Sequence, residues 1–388
     1  MAELELPPLL GLPTLLRKTP SELSALMSNT HAATDLSFVC MQMFYVLIVL
    51  TQNEFALEMQ TKALSLQRVY RLAGPLNPKV RLLVIFGPGN MQDNTPIEFV
   101  LDNSDVQMDM LFILAGQELP ELIPEHDIAF VAIGESDKNS PILTQLALLA
   151  IDWPRPILNH PDNIKNGARD ACYRLLKDVD GLVVPRTVRW HRHDRLDMDF
   201  PMTIRPVDTQ GGNGLRQVGG LSELDAYLDD FPSPEYYVAQ FVDYRSTDGK
   251  FRKLRIVLID AKPYVCHLAI SESWMVHYLS AGMEASAEKR SEEALFMETF
   301  DDNFAVRYRH QLETIAKRLK LDYVTLDCAE LDDGRLLLFE ADSRGLIHAF
   351  DPIDVYPYKP PIMQKAFDAF RALLSDRGPR EHFHQLQV

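Results

Sequence analysis

The sequence predicts an α/β protein of two or three domains: a helical N-terminal region, a small parallel α/β domain, and a C-terminal half with a glycine-rich loop and a strand-rich core. Three observations lead there. Apolar residues recur at helical spacing to about residue 72, short apolar runs then alternate with helix-like stretches, and near the C-terminus two strand-like runs flank an Asp-Gly turn. A chain of 388 residues exceeds one ordinary core, and its composition of 46% apolar and 24% charged residues is that of a globular protein.

Thirty-nine basic residues against 55 acidic ones leave a net charge of -16, which argues against a nucleic-acid backbone or an anionic membrane as main partner. Cys40, Cys172, Cys266 and Cys328 are scattered and form no Cys-x-x-Cys pair, so structural zinc and a disulfide framework are not expected. The most apolar run, Phe38 to Leu50, is too short to span a bilayer and lacks the basic start of a signal peptide. It reads as a buried helix of a cytoplasmic protein.

Residues 1 to about 20, rich in Pro and Leu, are expected to be irregular. Helices should follow to Leu72, with Ser21 as a cap and Ala56, Met59, Leu64, Leu66 and Val69 as one apolar stripe. At Leu76-Asn-Pro78 the pattern changes. Val80–Phe86, Met108–Leu114 and Asp127–Ile133 read as buried strands separated by helix-like stretches, which indicates a parallel sheet. Gly87-Pro88-Gly89 is not a dinucleotide fingerprint, because the full glycine pattern is missing and proline removes an N–H. From Asn159 the expected order is helix, strand, glycine loop, helix, strand pair, acidic hairpin and closing helix. The domains are therefore expected at 1–75, 76–158, 159–242 and 243–388.

The C-terminal half carries the chemistry. If Asp333-Gly334 is a two-residue hairpin loop, Asp332 faces Arg335 and Asp327 lies opposite Glu340, with Asp342 on the same face as Ala329, Leu331, Leu336 and Leu338. Opposed carboxylates destabilise a sheet unless a cation sits between them, and hard oxygens gathered this way suit Mg2+. Upstream, Phe200 to Leu215 is a strand running into a loop whose Gly211, Gly212 and Gly214 let backbone N–H groups approach an anion, with Arg205 just before it. Lys253 and Arg255 share one face of the strand Phe251–Ile259 and call for a counter-anion such as a triphosphate or an acyl phosphate. The run from His267 to Tyr278 adds Ser271, Trp274 and His277, but its spacing defines no catalytic triad.

Taken in order, the cation and glycine loop, the strand Tyr236–Tyr244, the basic strand and the acidic hairpin resemble the ATP-grasp superfamily of carboxylate-amine ligases over about residues 76 to 370. More narrowly, Arg205-Pro with its following Gly-Gly, Gln240-Phe-Val-Asp-Tyr, His267-Leu-Ala-Ile-Ser and Trp274-x-Val-His-Tyr resemble bacterial ATP-grasp domains that accompany helical repeats. The resemblance implies ATP between two subdomains of an ATP-grasp fold and Mg2+ on Asp327, Glu340 and Asp342. It also implies main-chain contacts to adenine from Gln240, Phe241 and Val242, Asp243 near the ribose, and Arg205, Lys253 and the glycines on the phosphates. Two departures stand out. Arg205 replaces the usual lysine, and Phe339-Glu-Ala-Asp-Ser-Arg-Gly345 carries Asp342 where asparagine is usual.

The function so implied is an ATP-dependent ligase joining a small-molecule carboxylate to an amine through an acyl phosphate. Arg205 and Arg255 would steady phosphate oxygens, Arg344 would meet the substrate carboxylate, and His267, Ser271, Trp274, His277 and Tyr278 would border the substrates. The rival is an ATP-grasp fold kept as a nucleotide-binding or partner-docking module, and a third reading is a phosphoryl transfer that stops before the amide. The apolar N-terminal helices offer a surface on which a homodimer could form.

Overall fold

In the computed structural model, residues 6–30 and 35–378 are described; residues 1–5, 31–34 and 379–388, which fall within the first and last expected domains, lie outside them. Within the described part of the expected irregular stretch, regular elements are present. Pro8–Leu9 (β1) is followed by four helices, Leu12–Leu16 (α1), Pro20–Thr30 (α2), Leu36–Val49 (α3) and Asn53–Leu66 (α4). Helix α2 starts one residue before the expected cap, because Thr19 and Glu22 form a reciprocal capping box: the Thr19 N–H donates to Glu22 at 2.7 Å and the Glu22 N–H donates to Thr19 Oγ1 at 3.3 Å. Asp35 caps α3 by accepting from the Ser37 and Phe38 N–H groups. The expected apolar stripe breaks at its end, since Leu66 is exposed and Val69 opens a strand.

That strand, Val69–Leu72 (β2), joins Val80–Phe86 (β3), Val106–Phe112 (β4), Ile128–Val131 (β5) and Ile157–Leu158 (β6) in a sheet ordered β1-β2-β4-β3-β5-β6. The three expected strands are parallel neighbours, and β2 runs antiparallel on β4. Both faces are buried, as near-continuous apolar strands require. Leu82, Val84 and Phe130 pack with α1, α3 and α4, while Leu83, Ile85 and Val131 pack with helix Ser140–Ala150 (α5). Gly87 and Gly89 are bracketed by the side-chain amides of Asn94 and Gln60, so this turn is tied down by protein.

Pro161–Ile164 (α6), Arg169–Leu176 (α7) and Leu182–Val183 (β7) lead to a second sheet of Thr187–His191 (β8), Met202–Pro206 (β9), Arg216–Val218 (β10) and Glu235–Gln240 (β11), covered by Leu221–Asp230 (α8). Its small core of Trp190, Ile204, Leu224, Tyr227, Tyr236 and Val238 is separate from the two larger ones. The third sheet, ordered β13-β12-β14-β15-β7, contains Phe251–Ile259 (β12), Lys262–Ser271 (β13), Tyr323–Glu330 (β14) and Leu336–Asp342 (β15). Helices Ala287–Thr299 (α9), Phe304–Arg307 (α10) and Arg309–Leu319 (α11), absent from the expected order, separate β13 from β14, and Lys359–Arg377 (α12) closes the chain. Among the described residues no helix is long and apolar enough to cross a membrane.

The acidic hairpin keeps the expected pair by a different route. Leu331, rather than Asp332, lies opposite Arg335, with its N–H on the Arg335 carbonyl at 2.9 Å, so the loop is one residue longer. A bulge at Phe339 then restores the register, pairing Cys328 with Leu338 but Asp327 with Glu340 and Thr325 with Asp342. The shift moves Leu337, not Leu336 or Leu338, onto the face shared by Ala329 and the carboxylates.

Candidate functional site

The second and third sheets enclose a cavity of about 170 Å3, walled by Thr203, Arg205 and Tyr237 on one side and by Lys253, Asp327 and Glu340 on the other. Register brings the charged groups there. Cross-strand pairing sets His267 of β13, Arg255 of β12, Asp327 of β14 and Glu340 of β15 in one row. Arg255 grips Asp327 with both prongs, at 2.8 and 3.0 Å, and Lys253 adds a third contact at 3.1 Å. Burial alone would raise the Asp327 carboxyl, but these two cations outweigh it and hold it well below the ordinary carboxylate range. The counter-anion of the basic strand is thus Asp327 itself, a correction to the expectation that Arg255 waits for a phosphate.

Glu340 is paired with Arg169 at 2.5 Å, from the first turn of α7. Arg205 differs from all of these. Its residue is 6% exposed, and among the described residues its guanidinium has no carboxylate partner, only the Thr209 hydroxyl at 3.0 Å and the Thr209 carbonyl at 2.5 Å. Burial, and then the charge of Arg169, push it down to about 10.

The glycine loop lies against the opposite wall. Gly212 adopts φ +78° with His277 packed where a Cβ would stand, so a side chain there would meet both backbone strain and a clash. Burial, and then Lys253, lower the His277 pKa. Asp208, at the start of the loop, accepts from the Asp137 and Lys138 N–H groups at 3.1 and 3.3 Å, and Arg189 of β8 holds the Asp137 carboxylate at 2.9 and 2.6 Å. Both contacts tie the glycine-loop segment to the first sheet's domain.

Asp342 does not join the other two carboxylates. It lines a separate chamber of about 20 Å3 with Arg344, Glu135 and Asp208, which meets the main cavity at Arg169, Tyr237 and Glu340. Arg344 is bound to the Asp342 carboxylate through its N–H and Nε at 2.9 and 3.0 Å and packs onto Gly134, which leaves no room for a Cβ. Thr95 donates to the Ser343 carbonyl at 2.9 Å, fixing the altered tip to the first domain. Glu135 makes no direct hydrogen bond among the described residues, and burial raises its carboxyl to about 7 against the pull of Arg344.

Of the expected residues, Arg205, Gly212, Gln240, Phe241, Val242, Lys253, Trp274, His277, Asp327 and Glu340 line the main cavity. Gly211, Gly214, Asp243, Arg255, His267, Ser271 and Tyr278 do not; His267 meets Tyr278 with the rings tilted by 45° and their centres 4.7 Å apart, and Tyr278 is bonded to Glu293 at 2.8 Å. The Gln240 and Phe241 N–H groups are spent on the Arg186 and Pro201 carbonyls, which leaves Val242 as the main-chain donor to consider in this segment. Phe241, Trp274, Tyr244 and Phe339 build an aromatic wall beside it. Arg169, Tyr237, Tyr244, Phe339 and Glu135 were not foreseen. For Arg169 a signal existed: a cation in the first turn of a helix opposes the helix dipole and asks for a reason.

Among the described residues no three Asp, Glu, His or Cys side chains converge as a metal cage. Mg2+, however, is commonly held by one or two carboxylates plus phosphates and water. Asp327 and Glu340, opposed across strands and facing the cavity, fit that description, and Asp342 does not.

No family model and no curated protein matches the chain. Solved structures similar to it include the VanG D-Ala:D-Ser ligase of Enterococcus faecalis, at 14% identity over 76% of this chain and 99% of that one, TM-score 0.49. A D-alanine–D-alanine ligase of Bacillus anthracis complexed with ATP has 15% identity over 76% and 97%, TM-score 0.49. A RimK domain ATP-grasp protein of Sphaerobacter thermophilus has 14% identity over 75% and 99%, TM-score 0.43.

Proposed function

We propose that this chain is an ATP-dependent ligase of the ATP-grasp type that joins a carboxylate to an amine and releases ADP and phosphate. The observation that carries the reading is Arg205: a buried guanidinium with no carboxylate partner among the described residues, next to a glycine loop, in the wall of a cavity. A buried cation left unpaired is costly, and a phosphate would relieve it.

In this reading adenine lies against Phe241, Trp274, Tyr244 and Phe339, and the phosphates meet Arg205, Lys253 and the loop at Gly212. When bound, Mg2+ would supply charge neutralisation for the transferred phosphoryl group, held by Asp327 and Glu340. Arg344 and Arg169 border the chamber for the substrate carboxylate. A carboxylate oxygen attacks the terminal phosphorus and ADP departs; the amine nitrogen then attacks the acyl carbon and phosphate departs. The amine must lose a proton, and Glu135, whose carboxyl sits at about 7, is placed to take it. At about 170 Å3 the cavity is smaller than the roughly 300–1,000 Å3 of a typical ligand site, so entry of ATP requires the glycine loop to lift from His277 and from Asp137.

One observation favours a second reading. All three carboxylates are already spent on protein cations, which suits a module that binds nucleotide without metal or catalysis. Calorimetry of ATP binding with and without Mg2+, on the native chain and Glu340→Gln, separates the two. The ligase reading expects metal-dependent affinity that the substitution abolishes. Metal-indifferent or absent binding would refute it.

A further inference from the structure

A second pocket lies in the first domain, beneath the N-terminal helices, and shares no lining residue with the main cavity. It measures about 40 Å3 and sits at the carboxyl ends of β3 and β4, where Phe86 and Phe112 form part of its wall. In open α/β sheets that end of the strands is where ligands bind. Helix α3 contributes Phe44 and Tyr45, and α4 contributes Gln60. The rings form two close pairs: Phe86 stacks on Phe112 at 5.4 Å, and Phe44 meets Tyr45 edge-on at 5.3 Å.

One carboxyl, that of Glu98, lines this aromatic box. Its Oε2 accepts a hydrogen bond from the Leu12 N–H at 3.0 Å, and among the described residues Oε1 accepts none. Most of the other polar groups around it are used, and Asn90 accepts from the Gln92 N–H at 2.7 Å. Gln60 spends its amide on both backbone groups of Gly89, and Asn94 does the same with Gly87. The Tyr45 hydroxyl rests on the Met110 sulfur at 3.1 Å, and Thr95 donates to the Ala132 and Ser343 carbonyls. What remains is a carboxyl with one oxygen unbonded among the described residues, sharing a small space with four aromatic rings. Both attract a cation, and neither attracts an anion or rewards a second neutral apolar group more than its area.

We propose that this space is a binding site for a small protonated organic amine, held by the ionised Glu98 carboxylate and bordered by Phe44, Tyr45, Phe86 and Phe112. A bare metal ion is disfavoured by the lack of further oxygen donors, since hard cations take about six. Large amines are disfavoured by the volume. The pocket also gives the N-terminal helices a function, because without α1, α3 and α4 the box has no roof.

The test is calorimetric titration of methylammonium chloride into the full chain, above the pH of about 8 at which the Glu98 carboxyl ionises, against sodium chloride at equal ionic strength. The expected result is saturable binding to the native chain that sodium does not reproduce. It should weaken by at least about tenfold in Glu98→Gln, which keeps volume and the acceptor for Leu12 while removing the charge. Absence of saturable binding to the native chain overturns the proposal, as does equal binding by the glutamine variant. Should Glu98→Gln fail to fold, Met91→Trp serves, since Met91 lines the same space and is only partly buried. Binding lost in that folded variant supports the site, and binding retained at native strength overturns it.

Discussion

Replacing Asp327 by asparagine should destabilise the protein by about 3–5 kcal/mol, because it strands two cations inside the third sheet. Asp327 is 3% exposed and holds Arg255 through two hydrogen bonds and Lys253 through one. Two unit charges about 4 Å apart attract by about 4 kcal/mol at an effective dielectric near 20, and Asp327 has two such partners. Against this stands a desolvation cost of several kcal/mol per ion, so the intact cluster contributes little net stability. The variant keeps the desolvation of Arg255 and Lys253 and loses the attraction. Urea unfolding of the native chain, Asp327→Asn and the double variant Asp327→Asn with Arg255→Met measures the difference, and the double variant should recover a large part of the loss. The pH dependence has a definite sign. A carboxylate held below its ordinary value contributes stability that is present above the unfolded pKa of about 3.9 and is lost as pH falls through its folded value. The gap between native and variant should therefore be flat from neutral pH down to about 5 and close only below about 3.9. A loss under about 1 kcal/mol, or a gap already closing in the flat region, would refute the buried-cluster argument.

Arg205→Met should weaken ATP or ADP binding about 10- to 100-fold by calorimetry, the worth of one lost charge-assisted hydrogen-bonding group, while Arg205→Lys retains a larger share. Asp137→Asn should loosen the glycine-loop segment by weakening its bond to Arg189, read as faster limited proteolysis between residues 207 and 215 and as tighter cleavage control once nucleotide is added. Burial raises the Glu98 carboxyl to about 8, and the charged or titratable groups facing it are Asp102, itself paired with Arg17, and Tyr45. A carboxyl with a raised folded pKa contributes stability that is lost as pH rises through about 8. Glu98→Gln should therefore gain on the native chain between about pH 5 and pH 9, by up to a few kcal/mol, and an unchanged difference in thermal midpoint would count against it.

The sequence made the parallel sheet legible because its strands are buried on both faces and read as continuous apolar runs, Val80–Phe86 above all. It hid β1 because two residues, Pro8 and Leu9, that pair with the distant Arg71 and Leu72 leave no local periodicity. Helix α9 lies in a charged stretch whose apolar positions are sparse, whereas α11 carries Leu312, Ile315, Ala316 and Leu319 at ordinary helical spacing, a pattern the expected order left out. At the site, pairing Asp327 with Glu340 needed only turn chemistry, yet two departures cancelled to produce it: the longer loop shifted the register by one residue and the bulge at Phe339 shifted it back. Nothing in the residue types announces that bulge. Glu135 and Gly134 were out of reach for another reason. They arrive from other elements, and which distant loop meets a strand end is decided by tertiary packing.

In the ligase reading proposed above, the placement of charge lets the site accept an anion without breaking an ion pair. Asp327, Glu340 and Asp342 are each neutralised from within the protein, by Arg255 with Lys253, by Arg169 and by Arg344. If those were all the cations, an incoming phosphate would have to break an ion pair to gain a partner, and the exchange would be close to neutral. Arg205 removes that obstacle, since its guanidinium is desolvated yet spends itself on a hydroxyl and a carbonyl of its own loop. A phosphate reaching it gains an ion pair at the cost of two hydrogen bonds to uncharged acceptors. Those bonds go to Thr209, in the loop that packs on His277, so capturing an anion at Arg205 also frees the loop to rearrange. Binding and loop movement are thereby coupled through one side chain, and the loss of affinity in Arg205→Met should be accompanied by loss of nucleotide-induced protection of residues 207–215 from proteolysis.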